Sequence, residues 1–225
     1  MQPKLNINEF EAVIFDMDGV LVDSEPIWKV AMEEAFHSVG CKLTREDFQK
    51  TVGLRIDEVI SYWYKIAPWE NETEKEVEQL IIQKMVAFLS ESAKPLTGVV
   101  EMLRYLKNKG IKIGLATSSY RILVDTILAT CSLSEYFDVL HTAEEEEFGK
   151  PHPAVYLTAA KMLEVNPLKC LVIEDSINGV ISGKAARMHV VCIPEKTHQP
   201  NPKLILADYA YETMVEMLEE MKLKN

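Results

Sequence analysis

Asp16 and Asp18 stand two residues apart, directly after the apolar run Ala12-Val13-Ile14-Phe15 and just before Gly19. Three more polar clusters follow later apolar runs: Thr117-Ser118-Ser119, Gly149-Lys150-Pro151 and Glu174-Asp175. Side chains two apart on an extended strand share a side, so Asp18 can pass protons for chemistry begun at Asp16. Carboxylates gathered in this way repel one another unless a cation sits among them, and their hard oxygens suit Mg²⁺. A cation with Thr117 and Lys150 makes a pocket for a dianionic group such as phosphate, toward which Asp16 can act as nucleophile. Glu174 and Asp175 are adjacent, point to opposite sides of a strand, and take unequal roles. Each cluster alone has an ordinary explanation, since Asp-x-Asp-Gly is a common turn and a single lysine is usually solvated. Their recurrence at four successive strand ends argues for a site.

The elements that must position these residues are legible as apolar runs. Ala12 to Phe15, Ile111 to Ala116, Tyr136 to Leu140, Cys170 to Ile173 and His189 to Ile193 read as strands. Segments with helical spacing separate the later four: Ile122 to Cys131, Ala154 to Leu163 and Ile177 to Met188. This alternation predicts an α/β fold, a doubly wound and mainly parallel sheet with helices on both faces. The stretch 25–92 breaks the rhythm. It reads as helices beginning near Pro26, at Thr44, around Ile56 to Trp63, and at Thr73, where Glu76 three residues on completes a capping box. The expected organisation is an α/β core of residues 1–24 and 93–225, with residues 25–92 as an inserted helical cap domain. Asp23 to Pro26 and Ser92 to Pro95 are the expected hinges, and the run Glu144 to Glu147 is expected to be solvated.

Composition narrows the function classes. A formal charge of −11 without a basic stripe argues against nucleic-acid partners. It also means that an anionic substrate needs a local positive device or a metal to capture it. No run of 18 apolar residues is present, and Met1 to Phe10 lacks a leader's apolar stretch, so the expectation is a soluble, cytoplasmic chain with no membrane partner. Cys41, Cys131, Cys170 and Cys192 form no C-x-x-C pair and are expected to be reduced structural thiols. No exposed heptad suggests an oligomer, so a monomer is expected.

Asp16-Met17-Asp18-Gly19-Val20, Thr117, Lys150-Pro151 and Glu174-Asp175, in this order, resemble the four motifs of the phosphatase branch of the haloacid dehalogenase superfamily. The resemblance covers essentially the whole chain and extends to the β-phosphoglucomutase-like subfamily, whose Rossmann-like core carries a helical cap at the same place. It implies that Asp16 attacks phosphorus to give an aspartyl-phosphate. Asp18 then protonates the leaving oxygen and afterwards activates water. It further implies that the Asp16 carboxylate, the Asp18 backbone carbonyl and Asp175 hold Mg²⁺, for which Mn²⁺ or Co²⁺ can substitute, with Glu174 close behind. Thr117 and Lys150 are implied to hold phosphoryl oxygens, with Ser118 and Asn178 in support. Family dehalogenases lack the second aspartate and the metal, so Asp18 argues against dehalogenation.

The insertion carries the expected substrate contacts. Arg55, in a Gly53-x-Arg setting, is similar to a cap arginine that touches phosphate or sugar in relatives, and its bland alternative is a surface arginine. Glu25 fits either a sugar hydroxyl or the start of a helix. Trp28, Trp63 and Trp69 suit a sugar face or a core, and His152 suits a helix start or ligand contact. The stretches Gly53 to Asp57 with Trp63-Tyr64, Lys150 to Pro153 with Val155 to Leu157, and Glu174 to Ser176 through Lys184 to Met188 resemble bacterial 2-deoxyglucose-6-phosphate and hexitol phosphatases. The implied activity is hydrolysis of sugar or sugar-alcohol phosphate monoesters, with a sugar phosphate mutase as the alternative. In the mutases a histidine of the first cap helix restrains hydrolysis; Trp28 stands at that position here and weakens the mutase reading. A third possibility, a non-catalytic module that binds a phosphorylated metabolite, would call for degraded motifs, and none is degraded.

Overall fold

The structure, a computed structural model, describes residues 5–51, 54–194 and 202–223. Gly53 and the first four residues, on which parts of the readings above fall, lie outside the described residues. The apolar runs form parallel strands β1 (Ala12–Phe15), β2 (Lys112–Thr117), β3 (Val139–Thr142), β4 (Cys170–Glu174), β5 (His189–Cys192) and β6 (Tyr209–Ala210). They lie in the order β3-β2-β1-β4-β5-β6. Every residue of β1 and β4 is buried, as strands covered on both faces require.

Alternation along each strand divides the core in two. Val13, Phe15, Leu115 and Ile173 pack with α5 (Val99–Asn108), α6 (Arg121–Thr130) and α9 (Met214–Lys222) on one face. Ala12, Ile14, Val172 and Val190 pack with α7 (Ala154–Met162) and α8 (Ile177–Ala185) on the other. The expected doubly wound sheet is present. Its strand order reverses between β1 and β4, and in such sheets ligands bind beyond the strand ends at that crevice.

Between β1 and α5 the chain forms α1 (Glu25–Ser38), α2 (Arg45–Phe48), α3 (Ile56–Ile66) and α4 (Glu74–Ser92). Pro26 sits in the first turn of α1, where its missing N–H costs nothing. Thr73 caps α4 as its sequence signature predicts: its backbone N–H donates to Glu76 Oε2 at 2.7 Å, and its hydroxyl accepts from Glu76 N at 3.2 Å. Ala31, Ala35 and Phe36 of α1, Ile60 and Trp63 of α3, and Ile81 and Met85 of α4 form a buried cluster continuous with the sheet core. Removing a side chain such as Phe36 from water contributes roughly 1.5–3 kcal/mol. The two connections to this helical segment run side by side. Leu96 N–H donates to Leu21 O at 2.8 Å, and Val22 bridges antiparallel to Pro95.

Several elements depart from the sequence reading. The third strand begins at Val139 rather than Tyr136, because Ser134–Tyr136 forms a 3-10 turn. Just ahead of that strand, Asp138 takes the Ile113 N–H with its own carboxylate at 2.7 Å. Helix α8 stops at Ala185, and Arg187 adopts a left-handed φ of 63° soon after. The helix expected to begin at Thr44 is a single turn continued by the 3-10 segment Gln49–Thr51. The short β6 and α9 have no counterpart in the sequence reading, whereas Gly110 marks the end of α5 just before β2.

The acidic run is not wholly solvated. Glu144 accepts the Arg121 N–H at the start of α6 at 2.9 Å, and the half-buried Glu146 bonds His141 and Thr158. All four cysteines are free thiols, with Cys41, Cys170 and Cys192 buried; burial pushes the Cys170 and Cys192 thiols up to about 12. No helix among the described residues is long and apolar enough to cross a membrane.

Candidate active site

The parallel register sets the ends of β1 and β4 side by side, Phe15 opposite Ile173 and Asp16 N–H donating to Ile173 O at 3.0 Å. Asp16 and Glu174 therefore emerge together at the crevice, with Thr117 closing β2 beside them. Lys150 arrives from the segment after β3 and joins the two acids. Its ammonium donates to Asp16 Oδ1 at 2.8 Å, to Glu174 Oε1 at 2.7 Å and to Ala116 O at 3.1 Å, which uses all three of its protons. The same nitrogen lies 4.7 Å from the centre of the Tyr156 ring.

These three charges are buried and decide one another's protonation. Burial is the largest influence on Asp16 and raises its carboxyl to about 7, against the opposing pull of Lys150. Burial also opposes the charge on Lys150, yet the Asp16 and Glu174 carboxylates outweigh it and hold the ammonium above the ordinary lysine range. For Glu174 the attraction of Lys150 overcomes burial and lowers the pKa.

Glu174 has no solvent exposure and no spare capacity. Oε1 accepts from Lys150 and from the Tyr156 hydroxyl at 2.6 Å. Oε2 accepts from Asp175 N, Ser176 N and Ser176 Oγ at 3.1, 3.2 and 3.1 Å. It is thus an organiser of Lys150 and of the turn that presents Asp175. Gly19 is needed opposite that turn: its φ is 74°, and a Cβ there would lie 2.1 Å from Asp175 Oδ2.

Asp18 is held by three donors. Ser24 Oγ and Trp28 Nε1, the latter at 3.2 Å, donate to Oδ1, and Ser119 Oγ donates to Oδ2 at 2.6 Å. The donors come from the start of α1 and the loop after β2, so the Asp18 carboxylate is placed by both layers. Ser24 and Ser119 were not singled out from the sequence. Their signal was faint: one hydroxyl at the hinge, and the last of three hydroxyls after β2.

Carboxylate oxygens of Asp16, Glu174 and Asp175 come within 4.8 Å of one another. Three acids around one ammonium leave excess negative charge, and all are hard oxygen donors, so the set fits a divalent cation. With Glu174 fully engaged, Asp16 and Asp175 are the carboxylates suited to hold it.

The cleft above encloses about 150 Å³ and is lined by Asp16, Asp18, Thr117, Ser118, Lys150 and Asp175 from the sheet side, and by Glu25, Trp28, Met32, Phe48 and Leu54 from the helical segment. Glu25 also pairs with Lys29 one turn on at 3.2 Å. Asn178 lies half-buried in the first turn of α8, outside the lining. Trp63 and Trp69 are core residues, Trp69 meeting Phe36 and Tyr64 edge-on; Trp28 is the tryptophan that reaches the cleft. Arg55, expected at the substrate, lies outside the lining, with its guanidinium bonded to Asp57 and to the carbonyls of Ala143 and Glu146.

Residues 13–193 match the family model described as haloacid dehalogenase-like hydrolase. The chain is 39% identical over 207 residues to hexitol phosphatase B of Escherichia coli strain K12, covering 92% of this chain and 93% of that protein. It is 35% identical over 176 residues to the phosphorylated carbohydrates phosphatase of Thermotoga maritima, covering 78% and 81%. Its fold superimposes on CbbY from Rhodobacter sphaeroides, solved in complex with phosphate, with a TM-score of 0.84 at 22% identity over 95% of this chain and 99% of that one. The chain belongs to the haloacid dehalogenase-like hydrolases. Within that family it is a phosphatase.

Proposed function

We propose that this chain is a Mg²⁺-dependent phosphatase that hydrolyses small sugar or sugar-alcohol phosphate monoesters through an aspartyl-phosphate on Asp16. The observation that carries the reading is the pairing of Asp16, bonded to Lys150 in the crevice, with Asp18, two residues on and held by three donors. The names of the relatives at 39% and 35% identity support a phosphorylated sugar or hexitol as substrate.

In this mechanism an Asp16 carboxylate oxygen attacks phosphorus as the bond from phosphorus to the sugar oxygen breaks. Asp18 gives its proton to the departing oxygen. It then takes one from water, whose oxygen attacks the phosphorus of the aspartyl-phosphate and releases phosphate and the free Asp16 carboxylate. Lys150 fixes Asp16 and offsets charge on the phosphoryl oxygens, with the Thr117 hydroxyl beside it. Asp16, Asp175 and the Asp18 carbonyl would hold Mg²⁺, which supplies charge neutralisation for the incoming dianion. Ser118 and Glu25 line the route of the leaving group.

The test is product analysis with Mg²⁺ on 2-deoxyglucose 6-phosphate, sorbitol 6-phosphate, mannitol 1-phosphate and β-glucose 1-phosphate, following both phosphate and glucose 6-phosphate. Phosphate release that EDTA abolishes, and that Asp16→Asn abolishes without loss of the folded state, is the expected result. Glucose 6-phosphate formed from β-glucose 1-phosphate without matching phosphate would make the chain a mutase.

A further inference from the structure

Arg55 is the residue whose observed place differs most from its expected one, and its surroundings are built around it. Asp57 binds the guanidinium through two oxygens, at 3.1 Å from Nε and 2.8 Å from Nη2. That fork orients Nη1 away from the insertion. Nη1 then donates to Ala143 O at 3.2 Å and to Glu146 O at 3.1 Å, both in the segment after β3.

The receiving segment is anchored from the other side. Glu146 accepts from His141 Nε2 at 2.8 Å and from the Thr158 hydroxyl with its carboxylate, while its carbonyl faces the arginine. His141 itself is 3% exposed. The arginine stem also presses on the glycine immediately before Lys150: a Cβ on Gly149 would lie 2.8 Å from Arg55 Cγ and 2.9 Å from Cδ. A second clasp joins the same two layers at the end of β2, where the Tyr120 hydroxyl donates to Glu78 of α4 at 2.9 Å.

We propose that Arg55 is a positioning residue that latches the helical insertion onto the 143–150 segment, closing the cleft and holding the backbone that delivers Lys150, and that it does not bind the sugar. The inference rests on the phosphatase reading above, but only for the assay in which it is read. A guanidinium spent on two carbonyls and a carboxylate has little left for a ligand, and closure of such a latch acts on every substrate alike.

The two roles separate in kinetics. With Mg²⁺, Arg55→Ala is compared on sorbitol 6-phosphate and on p-nitrophenyl phosphate, which has no sugar hydroxyls. The latch predicts a fall in kcat of about tenfold on both esters, with KM held within about twofold. A loss confined to the sugar ester, carried by KM, would overturn it in favour of substrate contact.

Gly149→Ala supplies the coupling test. Its methyl collides with the arginine stem, so activity falls in the Arg55 background; in the Arg55→Ala background the methyl has room and adds no further loss. Additive losses would overturn the proposal. Arg55→Met keeps the stem and removes only the charged fork, so it serves if the alanine variant folds poorly, with the same expected fall in kcat. Amide hydrogen exchange reads the latch without turnover: the 143–150 segment exchanges faster in Arg55→Ala while β1 and β4 do not, and unchanged exchange in 143–150 would overturn the proposal. If the wild-type chain hydrolyses neither ester, the phosphatase reading fails while the exchange data still judge the latch.

Discussion

Replacing Trp28 by Phe removes the indole N–H that reaches Asp18 Oδ1 at 3.2 Å and leaves Ser24 and Ser119 on the same carboxylate. A hydrogen bond to a charged group contributes roughly 1.5–3 kcal/mol net. Here the contact is long and Oδ1 keeps a second donor, so the loss belongs around the lower end of that range or just beneath it, ~1–2 kcal/mol. Because each 1.4 kcal/mol is about tenfold in rate, kcat on a sugar phosphate should fall roughly 5- to 30-fold. The site of the loss is more telling than its size. A sugar alkoxide needs a proton to leave, whereas p-nitrophenolate does not. Rapid-mixing assays on the aryl ester should therefore show a nitrophenolate burst at the wild-type rate, followed by slowed turnover as water activation by Asp18 limits the second half. On sorbitol 6-phosphate both halves should slow. A burst on the aryl ester slowed as much as turnover of the sugar ester would mean that Trp28 acts through the shape of the cleft. Wild-type behaviour on both would remove its bond to Asp18 from the mechanism.

Burial raises Asp16 from 3.8 to about 7, so without a cation the folded chain keeps a proton that the unfolded chain gives up. This favours the fold at low pH and costs stability as pH climbs toward 7. A cation must displace that proton, and the gain in Tm from Mg²⁺ should grow between pH 5 and pH 8; a gain independent of pH would remove Asp16 from the cation's ligands. Gly179→Ala would set a methyl carbon 1.7 Å from Glu174 Oε1, inside a carboxylate with no exposure and five donors. Breaking that buried network should cost ~3–5 kcal/mol in urea unfolding, and a cost near zero would show that Glu174 has slack. Lys150 is the single cationic side chain lining the cleft among the described residues. A sugar monophosphate should therefore have a higher kcat/KM than the corresponding bisphosphate, and a preference for the bisphosphate would refute the charge argument.

That charge argument reaches back to the whole chain. A protein of net charge −11 repels a phosphate ester at long range, and the cleft does not reverse this with a patch of surface cations. The one ammonium it offers is already divided between Asp16, Glu174 and Ala116 O. In the proposed mechanism the positive charge for capture would come with a metal, held where the acids are densest. The helical segment adds mainly apolar side chains, Met32, Phe48, Leu54, Ile56 and Val59, together with Trp28 and Glu25. Such a wall removes water from the ester and offers a hydroxylated leaving group little beyond stacking and one carboxylate.

What the sequence made legible follows from how each contact is encoded. Asp16, Thr117, Glu174 and Asp175 sit at the ends of apolar runs that can only be buried strands, and a parallel sheet aligns those ends by its hydrogen bonding. Local pattern therefore sufficed for them, as it did for the capping box at Thr73. The third strand's start was set too early because Ser134–Tyr136 turns as a 3-10 segment and the Asp138 carboxylate takes the Ile113 N–H, and apolarity is blind to both. Arg55 shows the deeper limit. Its partners Ala143 and Glu146 lie 88 and 91 residues away, and it meets their carbonyls, which every residue carries. No residue type at 143 or 146 announces an arginine acceptor, so motif reading assigned the charge to a ligand. The latch proposed above comes into view only when the chain is folded and the guanidinium's donors are counted.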